Sequence, residues 1–181
     1  MAMRDSEQHG RQIPEEWNAL TNRIIGLAME VHTILGPGLL EKMYEDAFCI
    51  ELGRAGIPYE RQMPVRMDYK GQPIGNMRVD VVVQGLVIVE LKAIERVLDV
   101  HGATLLSYLR STALPLGLIL NFHVARLTDG ITRRLNPHCP LFQSLPPLAV
   151  SPHFHSSSLL SSATSASSAF NSLGFDLEDE V

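Results

Sequence analysis

The spacing of apolar residues changes along the chain, and each change marks a new kind of element. From Glu15 to Leu35, Trp17, Leu20, Ile24, Leu27, Ala28, Val31 and Leu35 recur at three- and four-residue intervals, as on one face of a helix. Gly36-Pro37-Gly38 stops that pattern. Leu40, Tyr44, Ala47, Phe48 and Leu52 then fall on one side of a second helix over about Leu39 to Ala55, with Gly56 fitting its C-terminal cap and Pro58 following. Beyond Pro58 the period shortens to two. Tyr59 to Tyr69 alternates loosely and carries one proline, which suits an edge or a strand start. Lys70-Gly71-Gln72-Pro73 reads as a turn, and Ile74 to Val83 and Val87 to Ala93 as the next two strands. Both contain near-continuous apolar runs, which predicts burial on two faces. Asp99 is placed to N-cap a helix through about Ser111. Leu116 to Phe122 is a short apolar strand and Ile131 to Leu135 a candidate for the last. The order α-α-β-β-β-α-β-(β) predicts an α/β (α+β) fold in which helices flank a mixed sheet.

Composition divides the chain into three stretches. Residues 1–14 are polar, and a flexible N-terminus is expected there. Residues 15–140 carry the apolar patterning of a single domain. Ten serines fall between residues 151 and 172, among few large apolar groups. Such a segment cannot bury enough surface to offset chain entropy, so 141–181 is expected to be a largely disordered tail. The net charge of -5 reflects local acid rather than an acidic domain. Residues 18 to 137 hold thirteen Lys and Arg against twelve Asp and Glu, whereas the segment after Pro137 holds four acids and no Lys or Arg. A near-neutral domain neither demands nor excludes a polyanionic partner. Cys49 and Cys139 lack any pairing or metal-ligand spacing, and Cys49 reads as a reduced core residue. No apolar signal core opens the chain and no apolar run is long enough to cross a membrane, so a cytoplasmic protein without membrane contact is the expectation.

The candidate chemistry lies in Asp80 to Lys92, D-V-V-V-Q-G-L-V-I-V-E-L-K. Two carboxylates and a lysine at the ends of buried strands are costly unless paired with one another or with a cation. Glu90 and Lys92 are two apart and share a strand face. Asp80 joins them only if the hairpin loop holds an odd number of residues. A three-residue loop Val83-Gln84-Gly85, with Gly85 in a left-handed bulge, sets Asp80 diagonally across from Glu90, where one cation can bridge them. A two-residue Gln84-Gly85 turn would put them on opposite faces. Mg²⁺ (or Mn²⁺) takes oxygen ligands and few carboxylates, which Asp80, Glu90 and the Leu91 carbonyl can supply. Lys92 could then orient a water or stabilise charge on a phosphate. The alternative is a Glu-Lys pair on a strand beside an unrelated Asp.

A second cluster, Gly38-Leu39-Leu40-Glu41-Lys42-Met43-Tyr44, precedes it. This G-x-x-E-x-x-Y run, followed by Arg78-Val79-Asp80, Val87 to Ala93, Tyr108-Leu109 and Gly117 to Phe122, resembles the GxxExxY family of the PD-(D/E)XK nuclease-like superfamily over about residues 20 to 136. The resemblance implies a restriction-endonuclease-like mixed sheet flanked by helices. It also implies a metal-dependent catalytic set of Asp80, Glu90 and Lys92, joined by Glu41 directly or through water, and a nucleic-acid partner, DNA or RNA. Tyr44 shares a helix face with Glu41 and could brace a ligand carboxylate or simply be core with its hydroxyl satisfied. Glu41 could instead be only a first-turn acid favoured by the helix dipole. Many relatives carry a glutamine four residues before the tyrosine of the later helix; here that position is Thr104, with Tyr108 retained. His101, Thr104 and Tyr108 fall on one helical face, and His101 is either a polar group near the site or a surface histidine at a helix start. Thr104 lacks the amide, which leaves three functional expectations, the first two being a metal-dependent phosphodiester hydrolase and a catalytically weak or inactive nucleic-acid- or protein-binding module on the same fold. An interaction protein with purely structural charges is the third.

Overall fold

Helix α1 (Glu15–Leu35) follows Pro14, with Glu15 and Glu16 at its positive end. Its buried residues include Trp17, Ile24, Ala28 and Val31, the stripe read from the sequence, and Gly36 ends it at φ 66°. In the computed structural model residues 13–142 are described. The expectations for 1–14 and 141–181 therefore lie, apart from two residues each, outside the described residues. Helix α2 runs Glu41–Arg54, starting two residues later than expected. It closes as a Schellman motif: Ile57 N–H donates to the Leu52 carbonyl and Gly56 N–H to that of Gly53, each at 3.0 Å, with Gly56 at φ 65°.

The remaining elements are β1 (Tyr59–Tyr69), β2 (Gln72–Val83), β3 (Val87–Lys92), α3 (Asp99–Thr112), β4 (Leu116–Asn121) and β5 (Ile131–Leu135). The sheet order is β1-β2-β3-β4-β5. Neighbours are antiparallel except β3 and β4, which run parallel with α3 as the crossover. Asp99 is the first residue of α3 rather than its N-cap, a position that Leu98 takes. Alternation along β3 and β4 divides the core, and β2 changes face between Val79 and Val81. Val81, Val89, Leu91 and Leu118 pack with Ile24, Phe48 and Leu52 of α1 and α2. Val79, Ile88 and Ile119 pack with Leu105 and Leu109 of α3. Gly117 permits that second contact: a Cβ there would lie 2.7 Å from Leu105 Cδ1. Cys49 is a free, buried thiol, as expected. Among the described residues no helix is long and apolar enough to cross a membrane.

The hairpin that fixes the site differs by one residue from the expected one. Val83 pairs with Val87, Val82 with Ile88 and Val81 with Val89. The loop is therefore Gln84-Gly85-Leu86, odd in length as the shared face requires, but not Val83-Gln84-Gly85. Gln84 and Gly85 both take positive φ, 51° and 60°, and Leu86 N–H closes the turn on the Val83 carbonyl at 3.0 Å. Continuing this register brings Asp80 level with Glu90 rather than diagonal to it. The ladder itself stops at Val81 and Val89.

Candidate active site

Where the β2–β3 ladder stops, side chains take over the backbone's hydrogen bonds. Leu91 N–H, deprived of a strand partner, donates to Asp80 Oδ2 at 3.0 Å. Asp80 N–H lies 3.5 Å from Glu90 Oε1. A buried amide must find an acceptor, and here a carboxylate supplies it, which fixes Asp80 at the mouth of the parting strands.

Lys92 stands at the centre of this mouth. Its ammonium Nζ is 3.3 Å from Glu90 Oε2, 3.7 Å from Asp80 Oδ2 and 3.7 Å from Glu41 Oε1. It also donates to the Leu91 carbonyl at 2.8 Å. Asp80, Glu90, Lys92, Glu41 and the Leu91 carbonyl thus converge. Glu90 is buried, at 7% exposure, while Glu41, Asp80 and Lys92 are partly open to solvent.

The electrostatics follow from three acids around one base. Burial, then the charge of Asp80, pushes the Glu90 carboxyl up from 4.5 to about 7, against the opposing pull of Lys92. Burial alone would lower the Lys92 pKa; the charges of Glu90, Asp80 and Glu41 outweigh it and hold the ammonium above its ordinary value. Tyr108 on α3 is raised first by burial and then by Glu90 and Asp80, so its phenol stays protonated beside them. The pocket favours added positive charge: a proton on Glu90, the Lys92 ammonium or a metal ion can meet that demand.

The donor chemistry is that of a hard cation, since three carboxylates and a carbonyl are all oxygen. Among the described residues no group of three or more His, Cys, Asp and Glu side chains stands arranged to ligate one ion. The carboxylates are gathered around the Lys92 ammonium, which has the place among them that an ion would take. The residues therefore fit Mg²⁺ or Mn²⁺ by type and charge, with Lys92 holding the oxygens together.

The spacing of Gly38, Glu41 and Tyr44 has a structural reason. Gly38 takes φ 107°, which turns the chain into α2. Glu41, the first residue of α2, reaches Lys92. Tyr44, fully buried one turn on, stacks on Phe122 at 4.5 Å between ring centroids. Its hydroxyl donates to the Gly36 carbonyl at 2.7 Å and accepts from Leu39 N–H at 3.0 Å. Tyr44 braces the loop that delivers Glu41 and bonds no carboxylate, in line with the core alternative.

The expected polar face of α3 breaks up. Tyr108 senses the acids. Thr104 Oγ1 donates back to the Val100 carbonyl at 2.9 Å. His101 Nδ1 accepts the Leu98 N–H at 3.0 Å, securing the start of α3. Neither side chain makes a hydrogen bond to a site carboxylate in this structure.

Three residues not foreseen from the sequence support Asp80 from the other side. Gln62 on β1 donates to Glu45 Oε2 at 2.8 Å and approaches Asp80 Oδ1 at 3.5 Å. It holds φ 51° within a strand, a costly conformation for a residue with a Cβ. Glu45, only 7% exposed, also accepts from Arg61 Nε at 3.0 Å and from its terminal nitrogen at 2.8 Å. Arg61 bonds Asp46 as well. The one available signal was Glu45, four residues from Glu41 and so on the same face of α2. A cavity of about 560 Å³ lies elsewhere, by the Gln84-Gly85 loop, and Glu60 is its only charged lining residue. A polar cavity of about 350 Å³ opens next to β3, lined by residues that include Asn121, the strand partner of Lys92.

Comparison with curated proteins and with solved structures gave no match. Comparison with protein families gave a match over residues 18–134, described as the PD-(D/E)XK nuclease superfamily. The match runs from the first turn of α1 to the penultimate residue of β5, and it encloses Glu41, Asp80, Glu90 and Lys92. The chain belongs to the PD-(D/E)XK nuclease superfamily.

Proposed function

We propose that this protein hydrolyses phosphodiester bonds of nucleic acid at a Mg²⁺- or Mn²⁺-dependent site made of Glu41, Asp80, Glu90 and Lys92. The observation that carries the proposal is the convergence of three carboxylates on Lys92 where two strands part. Asp80, Glu90 and the Leu91 carbonyl would hold the ion, with Glu41 as a further carboxylate. When bound, such an ion polarises a phosphoryl oxygen and makes a water more acidic. Glu90 gives up its proton as the site takes up positive charge. Lys92 positions the attacking water and stabilises negative charge that develops on the phosphate. Tyr108, held protonated, is available as a neutral hydrogen-bond donor on the α3 side of the acids. Gln62 keeps Asp80 oriented.

The test is incubation of the purified protein with single- and double-stranded DNA and RNA, with and without Mg²⁺ or Mn²⁺. Cleavage that needs the ion and disappears in Glu90→Ala and Lys92→Ala is expected. No cleavage, or cleavage undiminished in those variants, contradicts the proposal.

A second reading, a binding module with little catalysis, is favoured by one observation. Thr104 is committed to its own helix and offers no amide to the site. Filter binding with a metal titration separates the two: tight binding without turnover supports the module.

A further inference from the structure

We propose that the β1–β2 ribbon is a docking arm for duplex DNA flanking the cleaved bond, an inference that rests on the phosphodiesterase reading above. β2 pairs with β3 only from Val81 to Val83, whereas its pairing with β1 continues out to Tyr69 and Gln72. Beyond Asp80 the two strands therefore leave the sheet as a two-stranded ribbon. Every β2 residue from Gln72 to Arg78 is exposed. A free hairpin of this kind is marginal in water by itself. This one is held along one face, near its base by Val65, packed with Leu105 and Tyr108 in the smaller core, and farther out by the Ser111 hydroxyl, 3.4 Å from Met67 Sδ.

Strand register sorts the arm's side chains. Val65 pairs with Met77 and Met67 with Gly75, on the face turned to α3. Pro64 pairs with Arg78 and Arg66 with Asn76, on the opposite face. Lys70 and Tyr69 are at the tip, with the Lys70 ammonium 5.4 Å from the Tyr69 ring centroid. Residues 62–79 hold Arg66, Lys70 and Arg78 against the single acid Asp68, while the chain as a whole is at -5. Asp68 pairs with Arg66 at 2.9 Å, and that exposed pair exchanges for a phosphate at little cost.

Shape selects among polyanions. A two-stranded ribbon fits the B-DNA major groove, about 12 Å wide, whereas the A-form groove of duplex RNA is too narrow to admit it. From Asp80 to Gln72 the arm reaches roughly 27 Å at about 3.4 Å per residue, most of one turn of duplex. Arg78, two residues from Asp80, is roughly 7 Å along the same strand, so the arm leads directly from the acid cluster. Tyr69 at 61% and Ile74 at 68% exposure set apolar surface at the tip, within reach of thymine methyls or sugar edges.

The test compares the wild type with an Arg66→Ala, Lys70→Ala, Arg78→Ala triple variant by fluorescence anisotropy on a 20-base-pair DNA duplex in EDTA, across a range of salt. The expected result is at least a tenfold loss of affinity for the triple variant, with the slope of log K against log salt shallower by between about two and three. A charge-preserving Arg66→Lys, Arg78→Lys variant retains most of the slope. Mn²⁺-dependent turnover of bis(4-nitrophenyl) phosphate, too small to touch the arm, stays at the wild-type rate in the triple variant. An unchanged salt slope overturns the proposal. So does duplex RNA bound as tightly as DNA with the same dependence on the arm. Self-association abolished by Tyr69→Ser and Ile74→Ser, with DNA binding unaffected, overturns it in favour of a second copy of this chain. Failure of the wild type to turn over the small diester counts against the hydrolase reading alone, because the anisotropy in EDTA still decides the arm.

Discussion

From Val81 to Val83, β2 is buried and pairs with a strand on each side; from Gln72 to Arg78 it is exposed throughout and pairs with β1 alone. The same strand is core at one end and surface at the other, and Asp80 lies at the changeover. The difference teaches where a sheet can afford charge. Inside the paired half an ionised carboxylate would have neither water nor a donor. Farther out on the exposed half it would be a solvated surface acid, with no reason to meet Glu90 or Lys92. At the changeover, Leu91 N–H has lost its strand partner and offers a hydrogen bond, while Asp80 stays partly open to solvent.

Changes at the changeover should have the largest effect. If the proposed chemistry holds, Lys92→Ala lowers kcat/KM for cleavage on the order of 10³-fold, about 4 kcal/mol. Steady-state kinetics on the folded variant checks this. Against the paired half, on β3 opposite Val82, Ile88→Ala empties a fully buried position and costs about 3 kcal/mol in chemical denaturation. The equivalent change in the exposed half, Ile74→Ala, stays within about 0.5 kcal/mol. Equal costs would erase the contrast between the halves.

A pH series sharpens it further. With its folded pKa raised from 4.5 to about 7, Glu90 binds a proton more tightly in the folded protein than in the unfolded chain. That contribution is complete below about pH 4.5 and is lost as pH rises through 7. Metal-free protein should therefore lose up to about 3 kcal/mol from this group across that window. Lys92 does not interfere, because its own raised pKa places its loss above pH 10. Urea denaturation at intervals from pH 4.5 to 8, repeated on Glu90→Gln, should show the trend in the wild type and a flatter one in the variant. A smaller effect is expected at Gln62, where stability and activity separate. Asparagine tolerates left-handed φ but is too short to span Glu45 and Asp80. Gln62→Asn should keep stability within about 1 kcal/mol while lowering kcat/KM roughly tenfold. A loss of stability without loss of activity would make Gln62 a purely structural tie.

Much of this architecture was legible because it is periodic. The stripe from Trp17 to Leu35 marked α1, and Tyr59 to Tyr69 marked β1, with Pro64 on the edge strand where prolines are tolerated. The two carboxylates and Lys92 stood out because charges at the ends of apolar strands need compensation. What stayed hidden depends on contacts that leave no trace in spacing. The hairpin register differed by one residue because both Gln84 and Gly85 take positive φ, which shifts the loop to 84–86. Gln62 meets Asp80, and Glu45 and Arg61 back Gln62, across two strands and a helix at separations with no pattern of their own. His101 and Thr104 share a helical face with Tyr108, yet each is claimed by local backbone at the start of α3. A shared face establishes proximity to one another, not to the site.

The central claim is that the acids at the changeover in β2 form one cation site. Isothermal titration calorimetry with Mn²⁺ tests it most directly, on the wild type and on Asp80→Asn and Glu90→Gln. The account predicts binding to the wild type that each substitution weakens at least tenfold while the fold is retained. Mn²⁺ binding that both variants keep unchanged, or no binding by the wild type at millimolar Mn²⁺, would contradict it.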